Sequence, residues 1–194
     1  MVACSYQGTI EEPFGSAMQT IVELTASQCA PLEHASYGHV VTPVGSAWLA
    51  WDSVGIRELS FESDERALEA MPSALAAGGK RQDDEAAALL AQAFSQTSVL
   101  PMPMVLNGTA FQCEVWRALL QVSFGQTLSY AELATQIGKP GAARAVGQAV
   151  GANRLGFLVP CHRVVRKDGV IGQFRWGSAI KQRLLDWEAH LIHG

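Results

Sequence analysis

The spacing of apolar residues changes at a pair of prolines, Pro101 and Pro103, and this change limits the folds open to the chain. Before the prolines, residues 36–61 are rich in Val, Trp and Phe and are punctuated by Pro43 and Gly45. Such a composition favours two or three antiparallel strands. After the prolines, apolar residues recur at helical spacing. The 194 residues therefore predict an α/β domain followed by a mostly α-helical domain.

This division gives three predicted segments: an N-terminal extension of unknown role at 1–35, an α/β domain with its linker at 36–106, and a helical domain at 107–194. Residues 67–77 favour an interrupted helix, and the acidic residues at 83–85 mark the start of another. Four apolar residues of the extension fit one side of a short helix: Met18, Ile21, Val22 and Leu24.

Two short helices separated by a tight turn are predicted in the second half. The first covers 130–137 and is closed by Gly138, and the second covers 142–152. The turn is Lys139-Pro140-Gly141, so the layout is that of a helix-turn-helix. A preceding helix is predicted over 111–122, where three apolar residues form one stripe: Val115, Leu119 and Val122.

The second helix of this pair carries a face of small residues. Val146 and Val150 can point inward, and the small face is made by residues at helical spacing, namely Ala145, Ala149 and Ala152. A smooth face lets a helix approach another surface closely. Tight packing against another helix would use the same residues, and spacing alone favours that explanation. Three further residues lie beside this face: Arg144, Gln148 and Gly151.

The net charge of −4 argues against a polyanionic partner, but the charge is divided unevenly. From residue 107 onward there are ten Lys and Arg and five Asp and Glu, whereas the residues before 107 carry four and thirteen. A basic half beside an acidic half suggests that one half meets a polyanion, with chance segregation of solvated charges as the alternative. No apolar run has the roughly 20 residues of a membrane span and no secretory pattern is present, so the expected compartment is the cytoplasm.

Four cysteines are present, at Cys4, Cys29, Cys113 and Cys161, without a CxxC pair. Their spacing suits neither a zinc module nor a disulfide framework, which leaves at least one thiol for chemistry. Cys161 is followed directly by His162, a weak signal when taken alone.

The last predicted helix places an acidic residue among apolar ones. Glu188 falls on the stripe formed by Ile180, Leu184 and Leu191, with Leu185 alongside. A buried carboxylate is costly unless it is paired, and His162 is the natural partner. The alternative is a carboxylate at the edge of the stripe that reaches solvent.

Four strings cover nearly all of 107–194: GTAFQCEVWRALL, GQTLSYAELATQIGKPGAARAVGQAVGAN, VPCHRVVRKDG and GQFRWGSAIKQRLLDWEA. Together they closely resemble the O6-alkylguanine-DNA alkyltransferase family. Two segments, FRWG at 174–177 and GANRL at 151–155, are most similar to the C-terminal half of the bacterial adaptive-response members of this family. The similarity is loose over 36–106 and absent over 1–35.

The resemblance implies an N-terminal domain with a small antiparallel sheet and helices, RNase H-like, and a C-terminal domain with a helix-turn-helix. The implied activity is direct-reversal DNA repair, in which an alkyl group moves from O6-alkylguanine, and in some cases O4-alkylthymine, to Cys161. Each molecule would react once, as a methylated-DNA–[protein]-cysteine S-methyltransferase. The implied protein is a monomer without cofactor or metal, and it binds double-stranded DNA through the minor groove.

The resemblance also assigns roles in the chemistry. Cys161 would accept the alkyl group, His162 would act as base through a water molecule, Glu188 would orient His162, and Asn153 would be a hinge behind the recognition helix. These residue types suit the reaction. Displacement at an alkyl carbon needs a soft nucleophile, and a thiol needs a base to remove its proton near neutral pH.

Further roles concern DNA. Arg144 would enter the base stack when the target nucleotide leaves it, and Tyr130 would contact the 3′ phosphate and the base. Carbonyls of Cys161 and Val164 would bind the guanine amino group. The remaining DNA-facing positions are Ala145, Gln148, Ala149, Gly151 and Ala152. The implied base pocket contains Tyr130, Val164, Phe174, Arg175 and Trp176. The last three stand where many relatives carry Tyr-Ser-Gly or Tyr-Ala-Gly. Because Arg175 and Trp176 are bulkier than Ser and Gly, a narrower pocket is expected.

Three other functions fit parts of this pattern. An alkyltransferase-like lesion sensor binds the damaged base without repairing it, but such proteins replace the acceptor cysteine, which is present here as Cys161. A helix-turn-helix transcription regulator would not need the Cys-His-Glu set. A cysteine hydrolase would turn over repeatedly, and an adjacent Cys-His pair is unusual for that class.

Overall fold

The structure is a computed structural model, and it describes residues 6–11, 18–24, 35–63, 78–95 and 103–193. Within this part of the chain, seven strands form one mixed sheet in the order β1-β2-β7-β5-β4-β3-β6. The strands are β1 (Tyr6–Glu11), β2 (Met18–Leu24), β3 (Ser36–Thr42), β4 (Gly45–Trp51), β5 (Ile56–Phe61), β6 (Lys80–Arg81) and β7 (Met104–Asn107).

The predicted antiparallel strands are β3, β4 and β5, which pair in sequence order. The expectation of a purely antiparallel sheet is wrong, because β7 runs parallel to both β2 and β5, and β6 runs parallel to β3. The short helix expected around Met18 is also wrong, because these residues form β2. Short apolar runs fit either period, and the β-branched residues Thr20, Ile21 and Val22 favour a strand.

The sheet reaches into both segments that the sequence placed outside it. Strands β1 and β2 lie within 1–35 and pair antiparallel with each other. Strand β7 follows Pro103, in the stretch predicted as a linker, and occupies the middle of the sheet between β2 and β5. Its residues Met104, Val105 and Leu106 are buried. Pro103 stands just before the strand, where its missing N–H costs no ladder bond. The domain boundaries themselves stay a prediction.

Helix α1 (Asp83–Ser95) covers the sheet, and it begins at the acidic residues that predicted its start. It packs closely on β3, where a Cβ built at Gly38 would lie 2.5 Å from the Cβ of Ala86. Leu89 and Leu90 bury the inner side of the helix. The interrupted helix predicted at 67–77, with Pro72, lies outside the described residues.

The described part of the second half contains four α-helices: α2 (Ala110–Leu120), α3 (Tyr130–Gln136), α4 (Ala143–Gly151) and α5 (Ser178–His193). Reciprocal side-chain and backbone hydrogen bonds cap two of them, from Thr109 and Gln112 at α2 and from Ser129 and Glu132 at α3. Between α3 and α4 the chain turns at Gly138, whose φ is +70°. The helix, tight turn and helix predicted here are therefore present.

The two halves meet at the loop that follows α4. Leu155 forms a parallel bridge with Leu59 of β5, and Gly156 donates a hydrogen bond of 2.9 Å to the carbonyl of Leu59. Only a glycine allows this approach, because a Cβ at Gly156 would lie 2.8 Å from the ring of Trp176 and 3.0 Å from the Leu59 oxygen. Within the described ranges, no helix has both the length and the apolar character needed to cross a membrane.

Candidate active site

Cys161 begins a short 3-10 helix (Cys161–Arg163) at the end of this loop. The strand that follows, β9 (Val164–Val165), pairs in parallel with β8 (Leu128–Ser129), directly before α3. Cys161 is only 3% exposed, and it lies at the wall of a cleft of about 610 Å³ between α3, α4 and the segment 171–178. The fold thus brings a thiol to the side of an open cleft while keeping it largely out of water.

Asn153 connects the end of α4 to the cysteine loop. Its Nδ2 lies 3.1 Å from the Sγ of Cys161 and 3.1 Å from the carbonyl oxygen of Val159. Its Oδ1 accepts a hydrogen bond of 2.9 Å from the backbone N–H of Leu155. Since Asn153 is itself buried, these bonds hold the loop against the helix. The contact between the predicted hinge and the predicted acceptor is present.

His162 and Glu188 form the buried pair that the sequence predicted. Both side chains are fully buried, and the Nε2 of His162 lies 2.7 Å from the Oε1 of Glu188. The backbone N–H of Gly125 donates to the other carboxylate oxygen at 3.0 Å. One part of the predicted stripe is wrong: Leu191 is 46% exposed, because the buried side of α5 ends at Glu188.

Burial and pairing shift the pKa values of these groups. Burial raises the pKa of the Cys161 thiol to about 11, and the hydrogen bond from Asn153 offsets this only in part. Burial lowers the pKa of His162 below its ordinary value, although Glu188 opposes the shift. Burial would raise the pKa of Glu188, but its hydrogen bond and charge interaction with His162 and Arg163 outweigh burial and lower it.

These directions describe a neutral thiol, a neutral imidazole and a carboxylate. With Glu188 ionised, the imidazole proton belongs on the Nε2 that faces it, so the Nδ1 lone pair is left to accept. That Nδ1 makes no hydrogen bond to any described protein atom. The arrangement therefore provides an oriented acceptor nitrogen one residue from a buried thiol.

Two buried cations of this site were missed by sequence reasoning. Arg163 is fully buried, and its Nε lies 3.1 and 3.2 Å from the two carboxylate oxygens of Glu188. Lys181 is 1% exposed and donates to the carbonyl of Val164 at 2.5 Å. Burial lowers the pKa of this lysine, and Cys161 opposes the shift. Charged residues are rarely buried, so their residue types gave no reason to expect either at a buried position, although Lys181 lies three residues before Leu184 of the predicted stripe.

Three of the five predicted pocket residues line the cleft, and two do not. Tyr130, Phe174 and Arg175 line it, as expected. Trp176 does not, because it is 3% exposed and packs edge-on against Phe61 at 6.0 Å. The side chain of Val164 is also buried away from the cleft. The residues that sequence reasoning did not place in this lining are Gly147, Val150, Ile171, Gly172, Gln173, Gly177 and Ser178.

The exposed face of α4 is narrower than predicted. Arg144, Ala145, Gln148 and Gly151 are exposed and share that face. Ala149 is not part of it, because it is 2% exposed and its carbonyl accepts a 2.8 Å hydrogen bond from the indole of Trp116. Ala152 is half-buried, and Val146 and Val150 are buried as predicted.

The fold and the site define a protein with a buried cysteine, backed by a His–Glu pair and set beside a two-helix unit with an exposed arginine. The sequence-family model for the DNA-binding domain of 6-O-methylguanine DNA methyltransferase matches residues 110–190 of this chain. The regulatory protein Ada of Salmonella typhimurium is 52% identical over 91 residues, which cover 47% of this chain and 26% of that protein.

Two further relatives match most of the chain. A methylated-DNA–protein-cysteine methyltransferase of Methanosarcina barkeri is 34% identical over 152 residues, 78% of this chain and 96% of that one. The crystal structure of Mycobacterium tuberculosis OGT in complex with DNA has 32% identity and a TM-score of 0.65, covering 80% of this chain and 93% of that one. The chain belongs to the methylated-DNA–protein-cysteine methyltransferase family.

Proposed function

We propose that this protein repairs DNA by taking the alkyl group of O6-alkylguanine onto the Sγ of Cys161. The observation that carries the proposal is the buried set of Cys161, Asn153, His162 and Glu188 at one side of a cleft large enough for a base. The names of the relatives support the same reaction. O4-alkylthymine is a second candidate substrate of the same cleft.

In this reaction a carbon–sulfur bond forms while the bond between the alkyl carbon and O6 breaks. A thiol with a pKa of about 11 is ionised to only about one part in ten thousand at pH 7, so it needs a base. The Nδ1 of His162 takes the thiol proton through one water molecule, and Glu188 stabilises the imidazolium that forms. The product thioether cannot regain its thiol, so each molecule reacts once.

The leaving guanine carries developing negative charge and needs a proton or a hydrogen-bond donor. Tyr130 lines the cleft beside Cys161, and burial raises the pKa of its phenol, which keeps the hydroxyl protonated. The backbone N–H of Arg175 is a second donor on the same rim. The carbonyls of Cys161 and Val164 hold the guanine amino group, and Lys181, already bonded to Val164, fixes the position of that carbonyl.

DNA binds across α3 and α4, which act as a helix-turn-helix. The small exposed face of α4 enters the minor groove, and Arg144 fills the stack from which the target nucleotide is flipped. The exposure of Arg144, Ala145, Gln148 and Gly151 supports this arrangement, and the crystal structure of the mycobacterial relative in complex with DNA supports DNA as the partner. We further propose an RNase H-like first domain, a monomeric protein and a cytoplasmic location.

The test is the intact mass of the protein after mixing with a duplex that contains O6-methylguanine. We expect one added methyl per protein, located at Cys161 by peptide mapping, and no added mass in a Cys161→Ser variant. A wild-type protein that binds the damaged duplex preferentially but gains no mass would be a lesion sensor. A serine variant that still removed methyl groups would overturn the assignment of Cys161.

A further inference from the structure

Phe157 has an unusual backbone for a bulky residue. Its φ is +65°, in the left-handed region that aromatic residues rarely adopt, and its ring is 3% exposed. Such conformations persist only where the surrounding structure holds them, and they concentrate at functional sites. Phe157 lies four residues before Cys161, in the loop that joins the two halves of the molecule.

The surroundings that hold the backbone are in the first half. Leu59 of β5 accepts a hydrogen bond from Gly156 and donates one to the carbonyl of Arg154, both at 2.9 Å. These two bonds fix the loop on either side of Leu155. Strand β5, which the chemistry proposed above does not use, therefore holds the backbone directly before Phe157.

The ring of Phe157 packs against aromatic rings from both halves of the molecule. It stacks on the ring of Phe94 on α1, with 4.2 Å between the centroids and an angle of 2° between the ring planes. It is also close to parallel with the imidazole of His162, at 6.3 Å and 20°. Trp187, next to Glu188 on α5, meets the Phe157 ring edge-on at 5.5 Å. Aromatic pairs at these distances favour defined relative orientations.

We infer that Phe157 is a positioning residue for His162, and that Phe94 of α1 holds it in place, so that the first half of the protein orients the base. The inference rests on the proposed function and adds Phe157 and Phe94 to the residues on which that function depends. The hydrogen bond to Glu188 fixes one edge of the neutral imidazole, and packing on the ring face restricts rotation about that bond and the entry of additional water.

Charged groups also act on His162. They are Glu188 and Lys181 from α5 and the neighbouring Arg163, and the Cys161 thiol adjoins it in the chain. None of these groups belongs to α1. A variant in α1 that changed the acid–base behaviour of His162 would therefore act through the aromatic stack and not through a charge.

The test compares single-turnover rates of methyl transfer at pH 6 and pH 8 in the full chain. In Phe94→Leu, water reaches the imidazole and the pKa of His162 moves up toward 6.5, where only about a quarter of the side chain is neutral at pH 6. We expect the rate at pH 6 to fall about fourfold relative to pH 8. Phe94→Met offers the same loss of the ring with more volume kept, should the leucine variant fail to fold.

Two controls accompany these variants. Phe94→Tyr keeps the ring and should retain the wild-type ratio of rates. Tyr37→Leu removes a buried aromatic ring from β3 in a cluster with Ala35 and Ala50, separate from the cluster that contains Phe94 and Phe157, and should also retain it. A wild-type pH ratio in both Phe94 ring-loss variants, or the same shift in Tyr37→Leu, would overturn the inference. Failure of the proposed function would appear instead as absence of transfer in the wild-type protein.

Discussion

At the scale of single residues, three groups depend on Glu188. Its carboxylate accepts hydrogen bonds from His162, from Arg163 and from the backbone of Gly125, and all of its side chain is buried. Burying a cation without its counter-charge is far more costly than burying the pair. One carboxylate therefore both orients the proposed base and neutralises an arginine that has no access to solvent.

Replacing this carboxylate with an amide tests both roles. In Glu188→Gln we expect the rate of methyl transfer to fall by about 100-fold, because the imidazolium loses its stabilising charge. We also expect the free energy of unfolding to fall by about 3–5 kcal/mol, because Arg163 remains buried without a counter-charge. Single-turnover kinetics and urea denaturation measure the two effects.

The matched control for this change is Asp186→Asn on the exposed side of the same helix. Asp186 bonds to Gln182 at 2.7 Å in solvent, so its loss should alter stability by no more than about 0.5 kcal/mol. A glutamine variant at 188 that behaved like this control would contradict both roles of Glu188.

The pKa directions predict how rate and stability depend on pH. Because burial lowers the pKa of His162 from 6.5, the rate should stay level through neutral pH and fall only on an acid limb centred below 6.5. His162 and Glu188 both hold fewer protons in the folded protein than in the unfolded chain. Their contributions to stability are thus present above 6.5 and 4.5 respectively and are lost as the pH falls. An acid limb centred at or above 6.5 would contradict the assignment of His162 as base.

Residue-scale prediction from the sequence succeeded where a polar residue broke an apolar stripe. Glu188 stood out because a carboxylate at a buried position needs a partner, and the structure has His162 there. The spacing rule that marked Glu188 also applies to Lys181, three residues before Leu184 and seven before Glu188, but its charge favoured an exposed position. Arg163 gave no such signal, since it lies outside the predicted helices. The left-handed backbone of Phe157 was equally hidden, because nothing local in the sequence demands it.

At the scale of elements, α4 combines an apolar inner side with an exposed face that carries one arginine. Arg144→Ala should slow methyl transfer from duplex DNA by at least about tenfold, because nothing then occupies the vacated stack. Transfer from the free base O6-methylguanine should be unchanged, because no stack is opened. Arg81→Ala, an exposed arginine on β6 in the other half, is the charge-matched control. Equal losses on both substrates would exclude the role in the stack.

Elements with their own start and stop signals could be predicted, and elements defined by distant partners could not. The capping residues of α3, the turn at Gly138 and the acidic start of α1 are local, and these helices lie close to where they were expected. Strand β7 has only four residues, and the apolar spacing of β2 fits a helix as well as a strand, so neither could be assigned from its own spacing alone. They are strands because each completes the ladder of the other, and this pairing spans about eighty residues of sequence.

At the scale of the whole molecule, acidic and basic residues are divided between the two halves, and the proposed roles follow the same division. The half before residue 107 is acidic and supplies the sheet that holds the cysteine loop, whereas the second half is basic and contains the cleft and α4. Phosphate binding by the basic half alone would reconcile the proposed binding of DNA with the net charge of −4.

Alkylation of Cys161 should also change the thermal stability of the whole molecule. A methyl group added to Cys161 extends toward the cleft, but the sulfur that carries it is buried and lies 3.1 Å from the Nδ2 of Asn153. A shift of the sulfur to accommodate the methyl group costs about 1–3 kcal/mol, because it disturbs the contact that holds the loop to α4. For a chain of this size each kcal/mol lowers the Tm by about 2–4 °C. We therefore expect the alkylated protein, once freed of DNA, to melt about 2–12 °C below the unreacted protein. Cys161→Ser carried through the same treatment should show no shift, and an unchanged Tm in fully methylated wild-type protein would mean that the site accommodates the methyl group without strain.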